Sequence, residues 1–381
     1  SMFLMKRVQA LQKKHGTYKV LAGLTVVAAL AFVPSIGLWL VPSLALAIQN
    51  VTEEVVLRMA REAKRITGAR DICMAGGVAL NCVANGKLLE AGLFDRIWVQ
   101  PASGDAGGAI GSALAVHHIH AVKPRTAVQP DAMKGAQLGS ACTTEEVTEV
   151  VKRYGAVARH IADPTVLCEA AAALLAEGKV VGWVQGRMEF GPRALGNRSI
   201  LGDPRSSAMQ KKLNLKIKYR ESFRPFAPAV LAEDAEHWFD MCGTDSPYML
   251  LVRPVKAQHR NALPDDYASW GVRQKLEQQR SSAPSITHID FSARVQTVHR
   301  DTNPRFHALI AAFKKLTGVG MLVNTSFNVR GEPIVRTADD AYRCFMRTEM
   351  DALVINDQLF ERRLQPEWKK NDGWKEEFLL D

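Results

Sequence analysis

The chain has 381 residues, of which 47% are hydrophobic, and a formal net charge of +10; it is long enough for two domains with their own cores, which excludes a disordered or low-complexity polymer. The basic excess is scattered, with no block of like charge and no nucleic-acid reader motif, so small anions fit better than a nucleic-acid partner. Cys73, Cys82, Cys142, Cys168, Cys242 and Cys344 form no C-x-x-C pair, which argues against a zinc cluster or disulfide framework and for reduced, mostly buried thiols in a cytoplasmic compartment.

From Val20 to Ile48 no residue is charged, a run longer than the roughly 20 residues that cross a bilayer as a helix. Lys6, Arg7, Lys13, Lys14 and Lys19 precede it, which would place the N-terminus in the cytoplasm. Pro34 and Pro42 could instead break the run into a re-entrant hairpin or buried segments. Residues 49–68 read as an amphipathic helix, with Val55, Met59 and Ala63 at helical spacing and Gly68 as its stop. A strand at 71–75 runs into Gly76-Gly77 and a helix at 78–90; a second strand at 96–100 runs into a glycine turn at 103–108 and a helix at 109–118. This is α/β logic twice over. Residues 119–140 read as a linker and 255–285 as a long loop. A second α/β block starts near Thr143, with helices at 164–177, 304–316 and 339–347 and strands at 180–185, 321–324 and 352–355.

Four segments carry the chemistry. In MAGGVALN, Gly76 and Gly77 let backbone approach a phosphate or sugar before a helix start that includes Asn81. In PASGDAGGAIG, Asp105 can ligate a metal or cap the following helix. His117, His118 and His120 read as solvated histidines at a helix end. Between Gly182 and Pro228, Arg187, Arg193, Arg198, Arg205, Lys216, Lys218, Arg220 and Arg224 alternate with glycine, proline and aromatics rather than at helical spacing; such cations suit phosphate or carboxylate oxygens. In NTSFNVRGEPIV, Asn324, Ser326, Asn328 and Arg330 gather amide, hydroxyl and cation on one strand-end turn, suited to a triphosphate.

Together and in this order, GGVALN, SGDAGGAIG, GPRALGNRS, FRPFAP and NTSFNVRGEPI resemble the carbamoyltransferase family that modifies nodulation factors and cephamycin-, novobiocin- and aminoglycoside-type antibiotics; the resemblance covers about residues 49–360. It implies a mixed α/β architecture: the C-terminal half of an actin/sugar-kinase-like transferase domain at 49–125, a linker at 126–142 and a YrdC-like α/β domain at 143–381, after the basic and hydrophobic segment 1–48. It implies formation of carbamoyl-adenylate from carbamoyl phosphate and ATP, with Mg2+, then transfer to a hydroxyl of a small molecule or glycan beside an Fe2+-type metal. By that resemblance Arg193, Lys218 and Arg224 grip carbamoyl phosphate; Arg220, Ser326 and Asn328 hold ATP phosphates; Arg294, Asn324 and Arg330 join the same pocket; Gly76, Gly77 and Asn81 contact the adenylate; and Asp105 is a metal ligand. The family's phosphate-binding hairpin and metal-binding histidine pair have no counterpart in residues 1–48, so the chain reads as truncated, with the transfer step in question and a partner chain, a homodimer or the hydrophobic N-terminus covering the exposed half-domain. A tRNA-modifying synthase and a non-catalytic membrane-tethered nucleotide-binding remnant are the alternatives.

Overall fold

A computed structural model of the chain describes residues 34–129, 131–222 and 224–368, with side chains from residue 43 onward and that of residue 273 left aside. The chain divides into two units, Ser1–Gly68 and Ala69–Asp381.

The first unit contains helix α1, Pro34–Thr67. It starts well before residue 49, at Pro34, and runs through Pro42, so of the two readings of the apolar run a break at Pro42 is not what the fold takes. A proline inside a helix removes one backbone hydrogen bond but does not always end it. Arg65 pairs with Glu62 at 2.7 Å on its polar side. Gly68, at φ 63°, returns its N–H to the Lys64 carbonyl at 2.8 Å, the left-handed stop that glycine supplies. Among the described residues no helix is long and apolar enough to cross a membrane; the part of the apolar run before residue 34 lies outside them.

The second unit opens with two parallel strands, β1 (Asp71–Met74) and β2 (Arg96–Val99), in register from Asp71 opposite Arg96 to Met74 opposite Val99. Helix α2 (Cys82–Glu90) connects them and α3 (Asp105–Ala115) follows β2. The predicted helix at 78–90 is divided: a 3-10 turn, Gly77–Leu80, precedes α2. Asn81 makes the division, because its side chain accepts the Ala84 N–H at 3.1 Å as the cap of α2.

The remainder builds a nine-stranded mixed sheet. Its elements in chain order are α4 (Thr144–Tyr154), β3 (Arg159–His160), α5 (Pro164–Ala176), β4 (Val181–Val184), β5 (Arg198–Gly202), α6 (Met209–Lys216), β6 (Ala227–Leu231), α7 (Ala232–Trp238), β7 (Leu251–Pro254), α8 (Val272–Glu277), β8 (Ser292–Val298), α9 (Pro304–Thr317), β9 (Met321–Ser326), α10 (Ala338–Arg347), β10 (Ala352–Ile355) and β11 (Gln358–Glu361). The strand order is β3-β11-β10-β4-β5-β9-β6-β8-β7. Thr143 and Glu146 form a capping box that starts α4, and Asn303 followed by Pro304 starts α9.

Both faces of the sheet are covered, which is why its inner strands read as apolar runs. Alternate residues serve opposite cores, as the two-residue period of a strand requires. Met321, Val323, Leu353 and Ile355 pack with Val147, Val150, Tyr342 and Phe345 of α4 and α10. Leu322, Ala352 and Val354 pack with Leu167, Ala171, Phe306 and Phe313 of α5 and α9. A third cluster joins Ala79 and Val99 to Leu195, Ala227, Tyr248 and Leu250. There α2 lies close on β7: a Cβ added at Gly86 would stand 2.5 Å from the Val252 oxygen, and Asn85 donates to the Leu250 carbonyl at 3.0 Å.

All six cysteines are free, but only Cys142, Cys168 and Cys344 are buried. The expectation of mostly buried thiols therefore holds for half of them.

Candidate functional site

Strand direction collects the motifs at one end of the sheet. β9 runs antiparallel to both β5 and β6, with Ser199 opposite Ser326 and Ala227 opposite Asn324. β8 runs parallel to β6, with Gln296 opposite Ala229. The loops before β5 and β6, the start of β8 and the loop after β9 therefore share an edge. These are the segments that hold Arg193, Lys218 to Arg224, Arg294 and Asn328 to Arg330.

A cavity of about 150 Å3 lies there, lined by Lys218, Arg220, Arg224, Ser326, Asn328, Val329, Arg330 and Gly331. Lys218 is only 4% exposed. Its Nζ donates to the Ser326 carbonyl, to Ser326 Oγ at 3.2 Å, and to the Asn328 carbonyl and Oδ1 at 2.8 and 2.7 Å. Burial pulls its pKa down to about 7, with the Arg220 charge acting in the same direction and Glu332 opposing. Arg220 is held by Asn214, whose Oδ1 accepts from Nε at 2.7 Å, and its guanidinium lies over the Phe226 ring at 5.1 Å. Burial, then the neighbouring Arg224, lowers its pKa to about 10. Arg224 pairs with Glu221 at 3.1 Å, and Arg330 approaches the other Glu221 oxygen at 3.9 Å. Three arginines and a lysine thus line this cavity, with Glu221 beside two of the arginines and Glu332 behind the lysine, an excess of cations suited to a polyanion.

Arg193 is not among the residues lining it. Its Nη2 reaches the Leu80 carbonyl at 3.4 Å, beside Asn81, and its buried Nε has no hydrogen-bond partner. Burial first, then the Arg294 charge, lowers its pKa to about 10. Arg294 acts on Arg220 in the same way, so its charge reaches both clusters. Asn324 is 1% exposed and does not line the cavity either. It donates to the Ala194 carbonyl at 3.0 Å and to Gln296 Oε1 at 2.7 Å, anchoring the loop that carries Arg193.

The run 187–224 does not converge as a whole. Arg198 is fully buried and donates through Nη1 and Nη2 to the carbonyls of Ser140, Gln185, Gly186, Asn197 and Arg336 at 2.8 to 3.5 Å. Arg205 pairs with Asp203 at 2.6 Å and Lys216 with Glu349 at 2.7 Å. Arg187 donates to the Leu138 carbonyl at 3.1 Å. Backbone carbonyls and carboxylates, one of them far along the chain, thus engage these four cations.

The two glycine turns of the small sheet meet the Arg193 loop. Gly191, at φ 141°, leaves a Cβ position 2.9 Å from the Pro101 oxygen. Gly76 stands at φ 101° as the residue before the 3-10 turn, and Gly77 opens that turn with open space where a side chain would lie. Asp105 is exposed as the first residue of α3, with Gly104 as the cap. Among the described residues no three His, Cys, Asp or Glu side chains gather to hold a metal.

Sequence reasoning missed the residues that shape these loops. Asn214 is fully buried and donates to the Ser222 and Arg224 carbonyls at 3.1 and 2.9 Å. Glu189 accepts the Leu195 and Asn197 N–H groups at 2.6 and 2.8 Å, and burial raises its pKa. An asparagine inside an otherwise helical stretch was the available signal for the first.

A family model of the carbamoyltransferase C-terminus matches residues 172–362, and one of the carbamoyltransferase N-terminus matches residues 26–114. The chain belongs to the carbamoyltransferase family. The N-terminal match begins inside the apolar run, earlier than the resemblance read from the motifs. The chain is similar to an uncharacterized protein of Synechocystis, 53% identical over 341 residues, which are 89% of this chain and 55% of that protein. It is 42% identical over 320 residues to the nodulation protein NolO of Bradyrhizobium diazoefficiens, covering 83% and 54%. It is 31% identical over 318 residues to the 3'-hydroxymethylcephem-O-carbamoyltransferase of Streptomyces clavuligerus, again covering 83% and 54%. This carbamoyltransferase-family chain therefore spans about half the length of the curated relatives it matches.

Proposed function

We propose that the chain forms carbamoyl-adenylate from carbamoyl phosphate and ATP, as the activating part of an O-carbamoyltransferase. In this reading the polyphosphate of ATP seats against Lys218, Arg220, Arg224 and Arg330, with Ser326 and Asn328, while carbamoyl phosphate lies toward Arg193 and Arg294. Hydrolysis of carbamoyl phosphate leaves orthophosphate and carbamate. A carbamate oxygen then bonds to the α-phosphorus as the bond to the bridging oxygen breaks and pyrophosphate departs. The leaving group gains negative charge, and fixed cations beside it lower the barrier. Magnesium accompanying ATP would neutralise part of the phosphate charge.

The observation that carries the reading is the Lys218 cavity: a buried ammonium on four oxygens, with arginines on its walls. The transfer step is a separate matter. Asp105 is an exposed carboxylate, and no three His, Cys, Asp or Glu side chains gather among the described residues, so these do not fit an iron site and no step is routed through one. We read residues 49–125 as part of an actin/sugar-kinase-like domain and 143–381 as a YrdC-like domain; the repeated strand–glycine–helix units and the mixed sheet support this. Similarity to a named cephem O-carbamoyltransferase favours a small-molecule or glycan hydroxyl as acceptor over tRNA.

The test is pyrophosphate release from ATP. It should require carbamoyl phosphate and need no acceptor. Failure of ATP and pyrophosphate to bind the purified chain would overturn the reading.

A further inference from the structure

The pocket loop after β9 has a second layer. Asn328 Oδ1 accepts from Lys218 Nζ at 2.7 Å and from Ser326 Oγ at 2.7 Å. Its Nδ2 donates to the Glu332 carbonyl at 2.6 Å. An amide so held has only one orientation, with oxygen toward the lysine and nitrogen away from it. Glu332 closes the same loop with its side chain: Oε2 accepts the Val329 N–H at 2.9 Å. The loop so tied presents Asn328, Val329, Arg330 and Gly331 to the cavity.

Electrostatics requires something further. A lysine buried beside arginines loses its proton unless a negative charge opposes them. The groups acting on Lys218 are Arg220, Glu332 and the Cys344 thiol, and Glu332 is the carboxylate among them. Cys344 on α10 is fully buried, donates a hydrogen bond from its thiol to the Glu332 carboxylate, and is pushed well above the usual thiol range by burial, so it stays neutral and supplies no counter-charge. Glu221 serves Arg224 and Arg330 instead.

We infer that Glu332 is the positioning residue of the Lys218 cavity: its main-chain carbonyl fixes the Asn328 amide from behind, and its carboxylate holds the Val329 N–H of the same loop while opposing the arginine charge around the lysine. This rests on the function proposed above for its role in binding, though the charge itself can be read without any ligand. Glu332 does not touch the polyanion. It sets how strongly Lys218 can.

Two variants separate the roles. Glu332→Gln keeps an acceptor for the Val329 N–H and removes the charge; Glu332→Ala removes both. The Lys218 13Cε resonance, assigned as the one missing from Lys218→Arg, is titrated in the free protein. Its midpoint should fall in Glu332→Gln. Pyrophosphate affinity measured at pH 8 should fall about tenfold, the equivalent of one pH unit of lost protonation, and recover at pH 6. In Glu332→Ala the affinity should stay low at both pH values, because the loop is also released. An unchanged Lys218 midpoint in Glu332→Gln, with the melting temperature of wild type, would overturn the inference. If the midpoint falls but no chain binds pyrophosphate, the inference stands and the proposed function fails.

Discussion

Asn324 and Arg193 are linked through a single carbonyl: the asparagine side chain holds the Ala194 oxygen at 3.0 Å, one residue beyond the arginine. A fully buried strand residue thereby sets the position of a cation on a loop. Asn324→Ala should cost about 1–3 kcal/mol, because the Ala194 carbonyl and Gln296 lose a buried donor. It should also lower the rate of pyrophosphate release while pyrophosphate binding persists. Chemical denaturation and a binding titration on the same variant check both halves.

Arg193→Ala should reduce pyrophosphate release on the order of a hundredfold or more. ATP affinity should change little, since Arg193 does not line the Lys218 cavity. Steady-state assays with either substrate varied distinguish this from a general loss of folding. Wild-type turnover would remove Arg193 from the proposed chemistry.

Lys218 makes a stability prediction with a definite sign. Its pKa is lowered to about 7 in the folded chain, against about 10.4 unfolded. Between those values the unfolded chain binds more protons, so this residue makes stability rise with pH across that window. Lys218→Met should flatten the rise and abolish pyrophosphate binding. Melting temperatures from pH 6 to 10 for both chains test it.

Gly196→Ala should be severely destabilising. Gly196 sits at φ 109°, and a Cβ there would lie 2.2 Å from a ring carbon of Phe306, a fully buried residue of α9. Strained backbone adds about 1–3 kcal/mol to an overpacking cost of similar size. Thermal melting measures the loss, and Phe306→Leu combined with Gly196→Ala should recover part of it.

The elements with strong punctuation were legible without coordinates. Pro164 and Pro304 open α5 and α9 at the residues expected, and the strands at 181–184 and 352–355 lie within the apolar runs read for them. β5 was not legible, because it begins with an arginine that the sequence marks as a ligand contact and the fold buries completely. β6, β7 and β8 were missed as well; their pairing is long-range and the mixed sheet is not a simple βαβ repeat. At the site, Lys218, Arg220, Arg224, Ser326, Asn328 and Arg330 do come together. Arg193 and Asn324 do not join them: Asn324 is taken up by the Ala194 carbonyl and Gln296, a long-range pairing that sequence order does not reveal.

β9 lies between β5 and β6, and it serves both cation clusters within three positions: Asn324 tethers the Arg193 loop while Ser326 faces Lys218. Because the pleat repeats every two residues, the two duties fall on one side of that ribbon. Inserting or deleting a single residue there would turn both inward-facing groups away in one stroke. The chemistry of the two substrates is therefore yoked to a common rail, and drift in that strand forfeits them jointly, whereas loops at the rim can diverge one at a time.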